Sequence, residues 1–269
     1  MMKNAYTTLF TAFISTCIFA QPSVDGVLSD GAYISMADKL NNNSGFGSNI
    51  DVTEILYYPD DVAGVLYLGV KSKLNVFSDD AIGIFLNVSG DGSPAGAPVG
   101  NALGLSGAGN YLDGDGAFEQ AFKADFEVDF AFAFNPAAWN TDVYCDVAKY
   151  TNGYTAEYAG ACRQDGTPAW NTASAKVFSG SSITFAFLND GGAHSGLEMA
   201  IPFSEIGANP NMQIALLAFV SSATAYFSDV TVPGNITSGN LAFNPDLSLT
   251  AGGPFHTELF PLSVFVCDP

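Results

Sequence analysis

Cations, histidine and tryptophan are all scarce in this sequence. Its 269 residues include 8 Lys and Arg against 27 Asp and Glu, with 2 His and 2 Trp, for a net charge of −19. Nucleic acids and anionic membranes are held through basic patches, so this balance argues against both as partners. Zinc-ligand spacing is absent, because the few cysteines and histidines do not cluster. The signatures of common enzymes are missing too: no Gly-x-Ser-x-Gly, no His-Glu-x-x-His and no phosphate loop. His194 and His256 stand in loop-like stretches, apart from any serine motif. Helical periodicity is nearly absent, with one short turn expected at Phe203–Ile206, after Pro202. A non-catalytic protein is expected.

What is present begins with the pattern of a secretory leader over residues 1–20. Lys3 supplies its positive charge, and Leu9 to Ala20 is an apolar run too short to span a bilayer, ending on a small residue. Cleavage after Ala20 leaves a mature chain starting at Gln21, secreted or held at the cell surface. A lipoprotein cut would place Cys17 at the cleavage point, and Thr16 before it fits that pattern poorly. No later apolar run reaches spanning length, so no membrane span is expected. In an oxidising compartment Cys145 and Cys162 are the natural disulfide pair, each in a strand-like segment with a hairpin between them. Cys267 is then left over, either idle or available to join two chains.

Only 13% of residues are charged while 48% are hydrophobic, which excludes a disordered chain. Period-2 alternation dominates. Phe126, Val128, Phe130, Phe132 and Phe134 alternate with Glu127, Asp129, Ala131 and Ala133, which reads as one long strand with an aromatic face. Similar patterns mark strands at 52–58, 65–71, 81–88, 142–148, 154–158, 183–188, 197–201, 214–220 and 259–266. The expected fold is all-β: a single antiparallel, jelly-roll-like β-sandwich over residues 21–269, with long loops and at most short helical turns. Its inner faces take most of the 22 phenylalanines. The Gly-rich stretch from Ser89 to Gly116 is the one long irregular segment.

The segment Val24-Asp25-Gly26-Val27-Leu28-Ser29-Asp30-Gly31-Ala32-Tyr33, followed by a strand and Leu66-Tyr67-Leu68, resembles the family 9 carbohydrate-binding modules and their DOMON-like relatives. Asp129 to Asn135, Gly196-Leu197-Glu198-Met199-Ala200-Ile201-Pro202, Ala218 to Val220, Tyr226 to Asp229, and the turns at Val232 to Gly234 and Gly239 to Leu241 are similar to a looser group of secreted proteins of that type. The resemblance implies a β-sandwich with structural calcium and a sugar clamped by aromatic rings.

Candidate ligands for calcium are Asp79, Asp80, Asp91, Asp113 and Asp115, hard oxygen donors near glycines. Asp113-x-Asp115-Gly116 matches part of an EF-hand loop, but its twelfth position is Ala124 rather than the closing glutamate, and ordinary Asp-Gly turns explain the same residues. Candidate sugar platforms are Trp139 and Trp170, each in a Pro-containing, Asn-flanked loop. Both flank the Cys145 to Cys162 hairpin; either could equally cap the edge of the core. The leading reading is a secreted carbohydrate-binding module. The alternative is a structural or adhesive subunit of an extracellular matrix or filament, self-assembling through strand edges or Cys267.

Overall fold

Alternation becomes strands throughout the computed structural model, which describes residues 20–88, 90–99, 111–112, 122–136, 141–172 and 175–263. In chain order the first seven strands are β1 (Ile34–Asp38), β2 (Asp51–Asp60), β3 (Val65–Lys73), β4 (Ala81–Asn87), β5 (Phe130–Pro136), β6 (Asp142–Lys149) and β7 (Thr155–Arg163). The rest are β8 (Ala169–Trp170), β9 (Thr184–Phe187), β10 (Gly196–Pro202), β11 (Gln213–Ser221), β12 (Tyr226–Val232), β13 (Ala242–Phe243) and β14 (Phe260–Pro261). A 3-10 turn at Phe203–Glu205 follows Pro202, where a short turn was expected.

Two antiparallel sheets pack face to face, as the alternation predicts. The first runs β1-β2-β3-β10-β9-β8 and the second β13-β12-β11-β4-β5-β6-β7, with β14 paired to the start of β11. Between them lies a core of Tyr57, Leu66, Leu68, Phe130, Phe132, Phe134, Phe185, Phe187, Leu197 and Met199 with their neighbours. The second sheet is also covered on its outer face. There Phe85, Phe219 and Phe227 meet Val99, Leu112, Phe122, Phe126 and Phe255 from the irregular segments. Burial on both faces explains why β4, β5 and β11 read as nearly continuous apolar runs. Gly83 on β4 makes room for this outer layer, since a Cβ there would lie 2.2 Å from the Phe219 ring.

Two sequence expectations need correction. The alternation from Phe126 to Phe134 is not one strand, because the chain changes side at Asp129. Phe126 and Val128 belong to the outer layer, and Phe130 onward to the inter-sheet core. Asp129 marks the crossing, its buried carboxylate accepting the Val88 N–H at 2.6 Å. The second correction concerns the disulfide: Cys145 and Cys162 are both buried free thiols. The register sets Val143 opposite Cys162, and Gly160 opposite Cys145. Diagonal neighbours across strands sit roughly 7–8 Å apart, beyond the usual disulfide Cα separation of about 4.4–6.8 Å. Cys267 lies outside the described residues.

Burial pushes the Cys162 thiol up to about 12 and raises the Cys145 thiol well above its ordinary value, the latter with help from the Asp146 carboxylate. At pH 8 an alkylating reagent should therefore leave both cysteines unmodified in the folded chain and label both in denaturant. Peptide mapping that finds them joined would restore the disulfide. Gly83→Ala should cost about 1–3 kcal/mol by overpacking the outer layer, read from denaturant melts. An unchanged midpoint would show that the Phe219 ring has room to move.

Candidate functional site

Much of the second sheet is covered on both sides, although Tyr144 on β6 and Tyr158 on β7 stay exposed, and the first sheet presents an accessible face. On β3, Leu66, Leu68 and Val70 point into the core, so Tyr67, Gly69 and Lys71 point outward. On β10, Leu197, Met199 and Ile201 point inward, leaving Glu198 and Ala200 on the outside. Across this face lies a strap formed by residues 22–33.

The distinctive residues of that segment each have a physical task. Gly26 adopts φ +77°, and a Cβ there would sit 2.5 Å from the Leu188 nitrogen, so only glycine fits. Leu28 rests on Gly69, whose missing side chain makes room: a Cβ there would lie 2.8 Å from the leucine methyl. Asp25 accepts the Val27 N–H at 2.9 Å, and Asp30 accepts that of Ser23 at 2.7 Å, which sets the local turns. Backbone bonds from Leu28 to His194 (2.7 Å) and from Gly196 to Gly26 (3.1 Å) tie the strap to β10 and the loop before it.

The anchor is Glu198, which is fully buried beneath the strap. Its Oε2 accepts the N–H groups of Asp25 and Gly26, both at 2.9 Å, and its Oε1 accepts the Tyr33 hydroxyl at 2.5 Å. Burial raises the carboxyl to about 7 despite these three donors. The same burial, with the Glu198 charge beside it, drives the Tyr33 phenol far above its ordinary value.

At one end of the strap a groove of about 490 Å³ opens over the sheet. Strand register lays its floor in one row: Tyr67 on β3 faces Ala200 on β10, Ala200 faces Thr184 on β9, and Thr184 faces Trp170 on β8. Pro22 and Val24 of the strap form one wall, and Pro168 and Pro202 complete the rim. Trp170 is 55% exposed and Tyr67 is half-buried, so both ends of the row present an aromatic ring. Tyr58, opposite Tyr67 on β2, backs it with ring centroids 6.1 Å apart. Beyond the other end of the strap, a smaller hollow of about 160 Å³ includes Asp51, Lys71 and Lys73 in its lining. There Lys39 pairs with Asp51 at 2.6 Å, and Lys71 pairs with Glu54.

Of the residues singled out from sequence, Trp170 stands in the groove. Trp139, Asp113 and Asp115 lie outside the described residues. Asp79 and Asp91 are exposed and Asp80 is half-buried, its carboxyl raised chiefly by burial. Among the described residues no three His, Cys, Asp or Glu side chains converge as a metal site. His256 lies 3.2 Å from Asp125 and stacks on Phe126, within the outer layer. Sequence reasoning passed over Tyr67 and Glu198 as functional residues, although both stand inside segments that carry the resemblance. No protein-family profile, curated protein or solved structure matches this chain.

Proposed function

We propose that this protein is a secreted, non-catalytic binding module that takes a neutral carbohydrate chain in the groove between Tyr67 and Trp170. The observation that carries the reading is the single row Tyr67, Ala200, Thr184, Trp170, with an aromatic ring at each end and small side chains between. Sugar rings offer flat C–H faces to aromatic side chains, and small residues leave a shallow floor over which they can lie. Three strand-to-strand steps of roughly 4.8 Å put the two aromatic positions about 14 Å apart. That span suits an oligosaccharide better than a single sugar. Asp60 stands near Tyr67, and the whole chain is strongly acidic, which disfavours sulfated or uronic ligands. Assembly through strand edges is the second reading: β8 and β13 are two residues long and β1 is short and bulged, which leaves the nine-residue β7 as the edge long enough to pair.

Titration with a panel of neutral oligosaccharides tests the reading. Stacking on one ring is worth on the order of 1 kcal/mol, so Trp170→Ala and Tyr67→Ala should each weaken binding by about fivefold. The melting temperature of Trp170→Ala should hardly move, because the ring is half exposed. A protein that binds none of the panel, or variants that bind as the parent does, would overturn the proposal.

Structural calcium belongs to the same proposal, with Asp79, Asp80, Asp91, Asp113 and Asp115 as candidate ligands. A ligand that binds only the folded chain stabilises it by mass action. Millimolar calcium should then raise the melting temperature above that in chelator, and coincident curves would remove calcium from the proposal.

A further inference from the structure

The wall of the groove nearest the sheet centre is the chain's own N-terminal strap, and the strap is held by one acid. We infer that the strap is a movable wall and that Glu198 is the positioning residue that seats it, so that its protonation controls the affinity of the groove. This inference rests on reading the groove as a ligand site.

The geometry supports a clasp rather than ordinary packing. Pro22 and Val24, which line the groove, lie directly before Asp25 and Gly26, whose N–H groups converge on one oxygen of Glu198. Tyr33, at the far end of the strap, reaches the other oxygen. One carboxyl thus grips the strap at both ends.

Burial and the Asp25 charge disfavour the ionised form of that carboxyl, the Tyr33 hydroxyl and the two N–H groups favour it, and burial dominates. Asp25, Asp30 and Tyr33 stand on the strap, and Tyr67 stands beside it on β3. Lys71 and Glu54 point outward along the same face and are paired with each other. No lysine, arginine or histidine among the described residues forms an ion pair with Glu198. As a neutral acid, Glu198 keeps every contact: Oε2 still accepts the two N–H groups, and the acid proton can be donated to the Tyr33 oxygen. As a carboxylate it is a buried charge with no cation opposite, and lifting the strap lets water reach it.

The sign follows from the folded value of about 7 against an ordinary value of 4.5. A raised carboxyl contributes stability that is fully present below 4.5 and is lost as pH rises towards 7 and through it. The strap is therefore seated most firmly in acid, loosens progressively to about neutrality, and changes little above pH 8.

Hydrogen exchange of the strap amides in the full chain, corrected for intrinsic rates, reads this directly. Between pH 6 and 8 the opening equilibrium should rise on the order of tenfold, one factor of ten per unit of differential proton affinity. Glu198→Gln mimics the neutral acid, so it should abolish that rise and keep the strap protected. Glu198→Ala should expose the strap at both pH values. In parallel, cellohexaose should bind the parent more weakly at pH 8 than at pH 6 by a similar factor, and Glu198→Gln equally at both. A parent with no pH-dependent exchange, or a Glu198→Gln variant that keeps the parent's rise, would overturn the clasp. Failure of the parent to bind cellohexaose at either pH, with the exchange behaviour as described, would count against the ligand reading while leaving the clasp standing.

Discussion

A β-sheet has two faces, and where both are buried nothing can bind. That constraint orders this molecule. The second sheet gives one face to the inter-sheet core and the other to a layer of irregular chain, in which the Phe122 ring stacks within 4.5 Å of Phe227 and 5.9 Å of Phe219. Backbone bonds such as Val99 to Phe122 and Gly96 to Ala124 give that layer internal order without regular strands. The first sheet keeps an outward face with small and polar residues. Gly69, Ala200 and Thr184 leave a surface low enough for a strap at its centre and a groove at its end. The position of the candidate site is thus a consequence of which sheet spent its outer face on packing.

A second theme is that backbone N–H groups hold several of the buried and half-buried carboxylates in place. Glu157 accepts from Lys176, Val177 and Phe178, Asp125 accepts from Phe255, Asp129 accepts from Val88, and Glu198 accepts from Asp25 and Gly26. Hydrogen bonds to a charged group are worth about 1.5–3 kcal/mol each. In all four cases the donors lie outside the strands, so the acids act as pins for chain that no sheet ladder secures. At Glu198 burial outweighs the donors and raises the carboxyl to about 7. That balance makes it a pin that can release.

Much of the fold was legible because burial of a sheet face imposes period 2 on the sequence. Long strands such as β2, β3, β6 and β11 lie within a few residues of their alternating segments. Where the physics differs from simple alternation, the reading failed in specific ways. Phe126 and Phe130 keep the same parity while lying in different cores, because an irregular residue at Asp129 moves the chain across the sheet without breaking the pattern. β8 and β13 are too short to show a period. The disulfide expectation rested on two cysteines in neighbouring strands, but strand neighbours bond only if the register aligns them, and register is a property of the assembled sheet. At the site, Trp170 was visible as a lone aromatic in a polar loop. Tyr67 was not, because an alternating strand has the same sequence whether its outward side faces water or a ligand. Glu198 looked like any exposed strand acid, since nothing in a local pattern reveals that a distant strap will cover it.

The same covering explains why the N-terminal segment is so particular in its residues. A strap that crosses a sheet has no ladder to fix its path, so its course must be set residue by residue. Gly26 permits a positive φ against Leu188, Leu28 fills the hollow over Gly69, Asp25 and Asp30 shape the turns, and Tyr33 closes on Glu198. Lengthening the side chain at Gly69 would lift Leu28, and with it Pro22 and Val24 at the groove. The depth of the groove is therefore coupled to residues well away from its floor, through a strap whose only charged contact is a single buried acid.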